Sequence, residues 1–169
     1  AKAMKKPVSE IVVAVLDRPR HEDLIREIRE AGAGTRLLLD GDVAASIHAA
    51  SYGSRIDMCV GIGGSPEGVV TACAITAMGG LMQGILMPRD EKEKLSGIDR
   101  GLKMDYVYEA NELVRSDNTF FIATGVTDGG LLQGVRRKGP TIRTESIVIR
   151  GRSGTIRRIV ADHHASRWV

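Results

Sequence analysis

Apolar stretches that alternate with polar loops and helix-forming segments constrain the fold of this 169-residue chain more than any other feature. Residues 11–16 form a continuous apolar run rich in β-branched side chains, which is typical of a strand buried on both faces of a parallel sheet. A helical pattern over residues 21–31 follows. A second strand over residues 35–39 then precedes a short alanine-rich helix over residues 43–50.

A third unit comprises a strand over residues 56–62, a glycine-rich loop and an apolar helix that ends near Met78. Successive strand and helix units predict an α/β fold with a mostly parallel sheet and right-handed crossovers. In such sheets the loops after the carboxyl ends of the strands meet at one edge, where ligands bind. We therefore expect the polar and glycine-rich loops of these units to form the functional site.

The remainder of the chain predicts short strands over residues 82–87 and 118–126, with a charged, solvent-exposed helix within residues 88–104. Residues 141–161 alternate Ile and Val with Arg and predict a β-hairpin with one buried and one basic face. The chain contains no internal repeat or low-complexity linker. We therefore expect one α/β domain over residues 1–169.

Composition excludes several classes of protein. Hydrophobic residues make up 43% and charged residues 27%, as in ordinary globular proteins, and the 4% of aromatic residues predict an aliphatic core. Without an apolar membrane segment or signal peptide, a cytoplasmic location and no membrane partner are expected. Cys59 and Cys73 are expected to be buried, reduced thiols. Since the chain begins with Ala1, we expect a trimmed or partial product.

Positive charge is concentrated at the end of the chain, where residues 135–169 contain nine Lys and Arg but only two acidic residues. Such an end could bind nucleic acid, a phosphorylated ligand or an acidic neighbouring subunit. The aromatic residues of nucleic-acid-binding platforms do not accompany these cations. Nucleic acid is therefore not the expected partner.

Two loops after strands carry charged side chains that are candidates for ligand binding. Arg18 and Arg20 flank a proline before a helix, where guanidinium groups and backbone N–H groups bind phosphate. The alternative is that they pair with acidic neighbours on the surface. Asp40 and Asp42 could hold a cation or accept hydrogen bonds from sugar hydroxyls; equally, Asp42 could cap the next helix while Asp40 forms the turn.

The third loop, residues 63–68, places Glu67 in the first turn of an apolar helix. That position suits either a dipole-compensating carboxylate or a metal ligand, and first-turn stabilisation is the simpler interpretation of the residue alone. Asp128 lies in a turn after another strand, where a structural role is the more common one. His21 is taken as an early helix residue, and no nucleophile has a partner for a catalytic triad.

Taken together and in order, five motifs closely resemble the class II fructose-1,6-bisphosphatases. The motifs are Asp17-Arg18-Pro19-Arg20-His21, Asp40-Gly41-Asp42-Val43-Ala44, Gly61-Ile62-Gly63-Gly64-Ser65-Pro66-Glu67-Gly68, Ala123-Thr124-Gly125-Val126-Thr127-Asp128-Gly129 and Arg152-Ser153-Gly154-Thr155-Ile156-Arg157. The resemblance covers nearly the whole chain but only part of the family's usual length. The chain resembles the carboxyl-terminal half of such an enzyme.

The resemblance implies a layered αβαβα fold of the inositol-monophosphatase-like superfamily. It also implies metal-dependent removal of the 1-phosphate of fructose 1,6-bisphosphate in gluconeogenesis, with sedoheptulose 1,7-bisphosphate a second substrate of some members. Mn²⁺ or Mg²⁺ is the implied cofactor. By the same resemblance, the substrate-binding residues are Arg18, Arg20, Asp40, Asp42 and Gly64, and the metal ligand is Glu67.

The family's other metal-binding carboxylates belong to its amino-terminal half and have no counterpart in this sequence. We therefore expect the chain to be inactive alone and to need the missing half, on the same or another polypeptide. The alternative is a catalytically dead module that binds sugar phosphates. Apolar area normally covered by the other half is expected to be exposed and to favour homo-oligomers.

Overall fold

A computed structural model, which describes residues 1–167, contains a three-stranded parallel sheet in the first part of the chain. The strands are β1 (Val12–Leu16), β2 (Gly34–Leu38) and β3 (Met58–Cys59). Their order is β2-β1-β3, with β1 parallel to both neighbours. This sheet and the helices between its strands confirm the α/β prediction, although β3 is only two residues long.

The helices that follow these strands are α1 (Glu22–Glu30), α2 (Asp42–Ala49) and α3 (Ser65–Ala77). A short 3-10 turn, Pro19–His21, leads directly into α1. Gly41 precedes α2 in the left-handed conformation, with a φ of 84° that glycine adopts without strain. Pro66 occupies the first turn of α3, where its missing N–H leaves no helical hydrogen bond unmade.

A smaller segment connects this unit to the end of the chain. It contains β4 (Gln83–Ile85), α4 (Glu91–Asp99), β5 (Val107–Glu109) and α5 (Ala110–Leu113), and β4 pairs antiparallel with β5. Asp90 caps α4 by accepting a hydrogen bond from the N–H of Glu93 at 2.8 Å. No residue of α4 is buried, which confirms a solvent-exposed helix in this segment.

The last four strands form an antiparallel sheet, so the prediction of a mostly parallel sheet is wrong beyond β3. They are β6 (Phe120–Thr124), β7 (Arg136–Lys138), β8 (Thr141–Arg150) and β9 (Thr155–His164). The long β8 pairs with β9 along one edge, and with β6 and β7 in succession along the other. The missed feature is non-local: a sequence of short strands does not show that they return antiparallel to one central strand.

The β8–β9 hairpin is confirmed, but its division into a buried and a basic face is wrong. Ile147 and Ile149 are buried, and Arg143 shares their face because it lies four residues before Ile147 and successive side chains of a strand alternate between faces. In β9, Arg158 lies opposite Ile147, whereas Arg157 lies opposite Val148 on the other face. Arginines therefore occupy both faces of the hairpin.

The core lies where α2 and α3 pack between the two larger sheets. Ile47 and Ala74 belong to one buried cluster with Ile147 and Ile149 of the antiparallel sheet, while Ala45 belongs to a second cluster with Ala14 of the parallel sheet. Phe121 is the single aromatic side chain in the core of the described residues 1–167. The core is thus mostly aliphatic, as the composition predicts, and its small side chains allow close approach of the helices.

Both cysteines are free thiols, but they are half-buried instead of fully buried as predicted. Burial raises the pKa of the Cys59 thiol, and a side-chain hydrogen bond with Ser46 opposes this effect by lowering the pKa. No helix within residues 1–167 combines the length and the apolar character needed to span a membrane.

Candidate ligand-binding site at the strand ends

Three loops meet at the carboxyl edge of the parallel sheet, as predicted. They follow β1, β2 and β3, and contain residues 17–21, 39–41 and 60–64. Because β1 lies between the other two strands, the chain forms β2 on one side of β1 and then crosses to the other side to form β3. A crevice at such a reversal is where ligands bind in open α/β sheets.

Arg18 joins the first loop to the second. Its side chain donates to the carbonyl of Leu39 at 2.6 Å and to the carbonyl of Asp17 at 3.1 Å. Among the ion pairs of the described residues, none involves Arg18 or Arg20, which contradicts the alternative of surface pairing with acidic neighbours. Because a carbonyl carries no net charge, the positive charge of Arg18 remains available to an anion.

Arg20 and His21 join the first loop to the third through one peptide unit. The Nε of Arg20 donates to the carbonyl of Ile62 at 2.8 Å, and the N–H of Ile62 donates to Nε2 of His21, also at 2.8 Å. His21 is fully buried, and its Nδ1 lies 2.8 Å from the carbonyl oxygen of Leu16. Arg20 itself is exposed, so the rest of its guanidinium faces solvent.

The two aspartates on either side of Gly41 lie at the amino end of α2. Asp40 is exposed and accepts a hydrogen bond from the N–H of Gly41 at 2.7 Å. Asp42 is half-buried and accepts from the N–H of Val43 at 2.8 Å. The proposed cap at Asp42 is wrong, because Gly41 is the capping residue and Asp42 is the first residue of the helix.

Two carboxylates approach the glycine pair of the third loop from different elements. A Cβ placed on Gly63 would lie 3.3 Å from Oδ2 of Asp42, and one placed on Gly64 would overlap Oε2 of Glu67. Glu67 lies in the first turn of α3, as predicted, with its carboxylate folded back over Gly64. The absence of side chains on these glycines therefore makes room for both carboxylates.

The described residues provide one candidate carboxylate ligand for a divalent metal but not a complete set of ligands. Hard cations such as Mn²⁺ and Mg²⁺ prefer several oxygen ligands, and Glu67 offers an exposed carboxylate. No group of three or more His, Cys, Asp or Glu side chains within residues 1–167 is arranged to hold a metal ion. A complete site thus requires ligands beyond this part of the chain.

Asp128 has a structural role within its own loop. It accepts from the N–H of Gly134 at 2.8 Å and from Arg136 at 3.3 Å. These groups, the Gly134 N–H first, hold the pKa of the Asp128 carboxyl below its usual range. The carboxylate thereby closes the loop between β6 and β7.

His21 is the residue whose importance sequence reasoning missed. We name the set formed by Arg18, Arg20, His21, Asp40, Asp42, Gly64 and Glu67 the strand-end site. A histidine directly after a strand-end arginine was the available signal, but its hydrogen bond to Ile62 joins residues that are 41 positions apart. Periodicity within a helix does not reveal such a contact.

The fold and this edge define an α/β protein that presents arginines and carboxylates at the carboxyl ends of parallel strands. The family model described as bacterial fructose-1,6-bisphosphatase, glpX-encoded, matches residues 1–163. The chain belongs to this family.

Curated relatives agree with that assignment. The chain is 42% identical over 177 residues to the class 2 fructose-1,6-bisphosphatase of Haemophilus influenzae, covering 97% of this chain and 53% of the relative. It is 41% identical over 180 residues to fructose-1,6-bisphosphatase 1 class 2 of Escherichia coli K12, covering 99% and 54%. The chain therefore spans about half the length of the curated relatives it matches.

Proposed function

We propose that this chain provides the substrate-binding part of a hydrolase that removes the 1-phosphate of fructose 1,6-bisphosphate. The products are fructose 6-phosphate and inorganic phosphate, as needed in gluconeogenesis. Sedoheptulose 1,7-bisphosphate is proposed as a second substrate. The observation that carries the proposal is the strand-end site itself, in which two arginines without carboxylate partners stand beside carboxylates in a member of this family.

Each proposed role follows from side-chain chemistry. Arg18 and Arg20 bind phosphate oxygens through N–H groups that their backbone contacts leave over. Asp40 and Asp42 accept hydrogen bonds from sugar hydroxyls, since ionised carboxylates are acceptors only. Gly64 allows the substrate to approach the backbone because it has no side chain.

The proposed cofactor is Mn²⁺ or Mg²⁺, with Glu67 as one ligand. A divalent ion offsets phosphate charge, but one carboxylate does not supply the several oxygens such an ion prefers. The other ligands are proposed to come from the amino-terminal half of the family's chain, in a layered αβαβα fold related to inositol monophosphatases. Residues 1–169 alone are therefore proposed to be inactive.

A sugar-phosphate-binding module without catalysis is the second candidate. The strand-end loops are joined to one another by Arg18, Arg20 and His21, while no group of three metal-binding side chains forms within residues 1–167. Binding loops without a complete metal site are what such a module needs. The two candidates differ only in whether a second half restores turnover.

One face of the antiparallel sheet supplies a surface for that second half or for another copy of the chain. Phe120, Ile122 and Ile159 lie on the same face, and their exposed fractions are 58%, 65% and 45%. A cluster of this kind favours association. Size-exclusion chromatography tests the proposal, and elution as a monomer both alone and with the second half contradicts it.

The decisive experiment measures phosphate release from fructose 1,6-bisphosphate with Mn²⁺ or Mg²⁺. The chain is assayed alone and after mixing with the part of the Escherichia coli relative that it does not match. Activity only in the mixture supports the hydrolase, and its loss in Glu67→Gln tests the metal ligand. Substrate-dependent thermal stabilisation without activity in either sample supports the binding module, whereas turnover by the chain alone contradicts the proposed inactivity.

A further inference from the structure

His21 is fully buried although it lies beside the exposed, polar residues of the strand-end site. Both ring nitrogens have backbone partners: the N–H of Ile62 at Nε2 and the carbonyl of Leu16 at Nδ1. A ring nitrogen that accepts from an N–H carries no proton, and a carbonyl oxygen only accepts. The contacts therefore require a neutral imidazole with its proton on Nδ1.

The peptide unit at Ile62 is held on both sides by consecutive residues. His21 binds its N–H and Arg20 binds its carbonyl, each at 2.8 Å. Ile62 directly precedes Gly63 and Gly64, whose lack of side chains leaves the backbone with few constraints of its own. A Cβ on Gly61 would lie 3.3 Å from Cε1 of His21, so the ring also packs closely against this loop.

We propose that His21 is a positioning residue that holds the third loop in place for binding of the sugar bisphosphate. It fixes Ile62, which orients the guanidinium of Arg20 and sets the position of Gly64 relative to that arginine. The role in substrate binding rests on the function proposed above. The role in holding the loop rests on the hydrogen bonds alone.

Two substitutions separate the two hydrogen bonds of the ring. His21→Gln places an amide oxygen near the position of Nε2 and keeps an acceptor for Ile62, but it loses the donor to Leu16. His21→Asn places an amide N–H near the position of Nδ1 and keeps that donor, but it loses the acceptor. Both remove one buried hydrogen bond, so similar thermal destabilisation is expected. The control is His48→Gln, which changes a half-buried histidine of α2 that lies outside the strand-end site.

The first readout is hydrogen exchange of the Ile62 amide, measured by NMR on the whole chain. Exchange is expected to be about tenfold faster in His21→Asn than in the wild type and His21→Gln, as one lost hydrogen bond predicts. The imidazole ¹⁵N spectrum of the wild type should show the Nδ1–H form. An Nε2–H form, or equal exchange in both variants, overturns the proposal.

The second readout is the affinity for fructose 1,6-bisphosphate, measured by calorimetry. His21→Asn should weaken binding about tenfold and His21→Gln much less, despite similar melting temperatures. If the loss of affinity in each variant merely follows its loss of stability, His21 has only a structural role and the positioning role is overturned.

Two further outcomes are also decisive. If the wild type and the control bind no sugar bisphosphate, the proposed function fails, and the Ile62 exchange and imidazole spectrum still decide whether His21 holds the loop. If neither variant folds, the sugar bisphosphate is titrated into the wild type. Saturable shifts of the His21 ring nitrogens support the coupling, and their absence overturns it.

Discussion

Arg18 and Arg20 at the parallel strand ends have different partners from Arg143 and Arg158 in the antiparallel sheet. At the parallel strand ends, Arg18 and Arg20 donate to backbone carbonyls, which orient the guanidinium groups without neutralising them. In the antiparallel sheet, Arg143 binds Asp162 and Arg158 lies near Glu145. The net charge of a segment is therefore a poor guide to anion binding, because some cations of the basic end, Arg143 among them, are paired with carboxylates, while Arg18 and Arg20 lie outside that end and have no such partner within residues 1–167.

Removing Arg18 and Arg20 together should give the largest effect. Arg18→Ala/Arg20→Ala is expected to weaken binding of fructose 1,6-bisphosphate at least about 100-fold, because each charge-assisted hydrogen bond contributes about 1.5–3 kcal/mol. Titration calorimetry measures the loss. Arg143→Ala, which removes an arginine already paired with Asp162, should leave the affinity unchanged. Equal losses in the two variants would contradict the distinction between paired and unpaired arginines.

Alanine substitutions at two glycines compare the two regions by the room that each has for an added side chain. A Cβ on Gly134 would lie 2.6 Å from the carbonyl carbon of Thr127 and 2.7 Å from the amide nitrogen of Asp128, and this backbone cannot give way cheaply. Gly134→Ala is therefore expected to lower the free energy of unfolding by about 1–3 kcal/mol. Urea denaturation measures this change, and an unchanged midpoint would disprove the close contact.

The same change at Gly64 should instead affect the site. Its φ of −71° and ψ of 150° suit alanine, and the new Cβ would meet the flexible Glu67 carboxylate. We expect a stability loss below about 1 kcal/mol but about tenfold lower activity in the mixture with the second half, since a displaced group loses its productive geometry. Full activity in Gly64→Ala would show that the Glu67 position is unimportant.

Sequence reasoning succeeded where the determining contacts are local. The run that forms β1 and the turn before α1 are encoded in neighbouring residues, so the strand-end loops and Arg18, Arg20, Asp40 and Asp42 could be placed at one edge. It failed where long-range pairing decides the outcome. The pairing of β8 with three strands, and the contact of His21 with Ile62, depend on residues far apart in the chain.

A partly buried ion pair in the parallel-sheet region should make stability depend on pH. Asp57 accepts from Lys6 at 2.6 Å and from the N–H of Val12 at 2.9 Å, with only 5% of its side chain exposed. These bonds, Lys6 first, hold the pKa of Asp57 below its ordinary value. The contribution of the ionised Asp57 to the free energy of unfolding is thus complete above its unfolded pKa of about 3.9. This contribution is lost as the pH falls through the lower pKa of the folded state.

Asp57→Asn is accordingly expected to lower the free energy of unfolding at pH 7 by about 1–3 kcal/mol. The difference from the wild type should shrink as the pH falls below about 4, because the unfolded chain takes up a proton at Asp57 first and the folded carboxyl follows at its lower pKa. Urea denaturation at pH 7 and at a pH below 4 measures this difference in the free energy of unfolding. A difference that is independent of pH would show that the charge of Asp57 is unimportant.

The exposed ion pair of the antiparallel sheet should give the smallest effect despite good geometry. Arg143 binds both carboxylate oxygens of Asp162 at 2.7 Å, and this contact lowers the pKa of the Asp162 carboxyl. Both side chains are about half exposed, so water and salt screen the attraction, and ordering the long arginine side chain opposes it. Asp162→Asn should therefore change the melting temperature little, and less still at high salt. A loss as large as that of Asp57→Asn would show that contact geometry outweighs burial in this protein, because burial is what most distinguishes the two carboxylates.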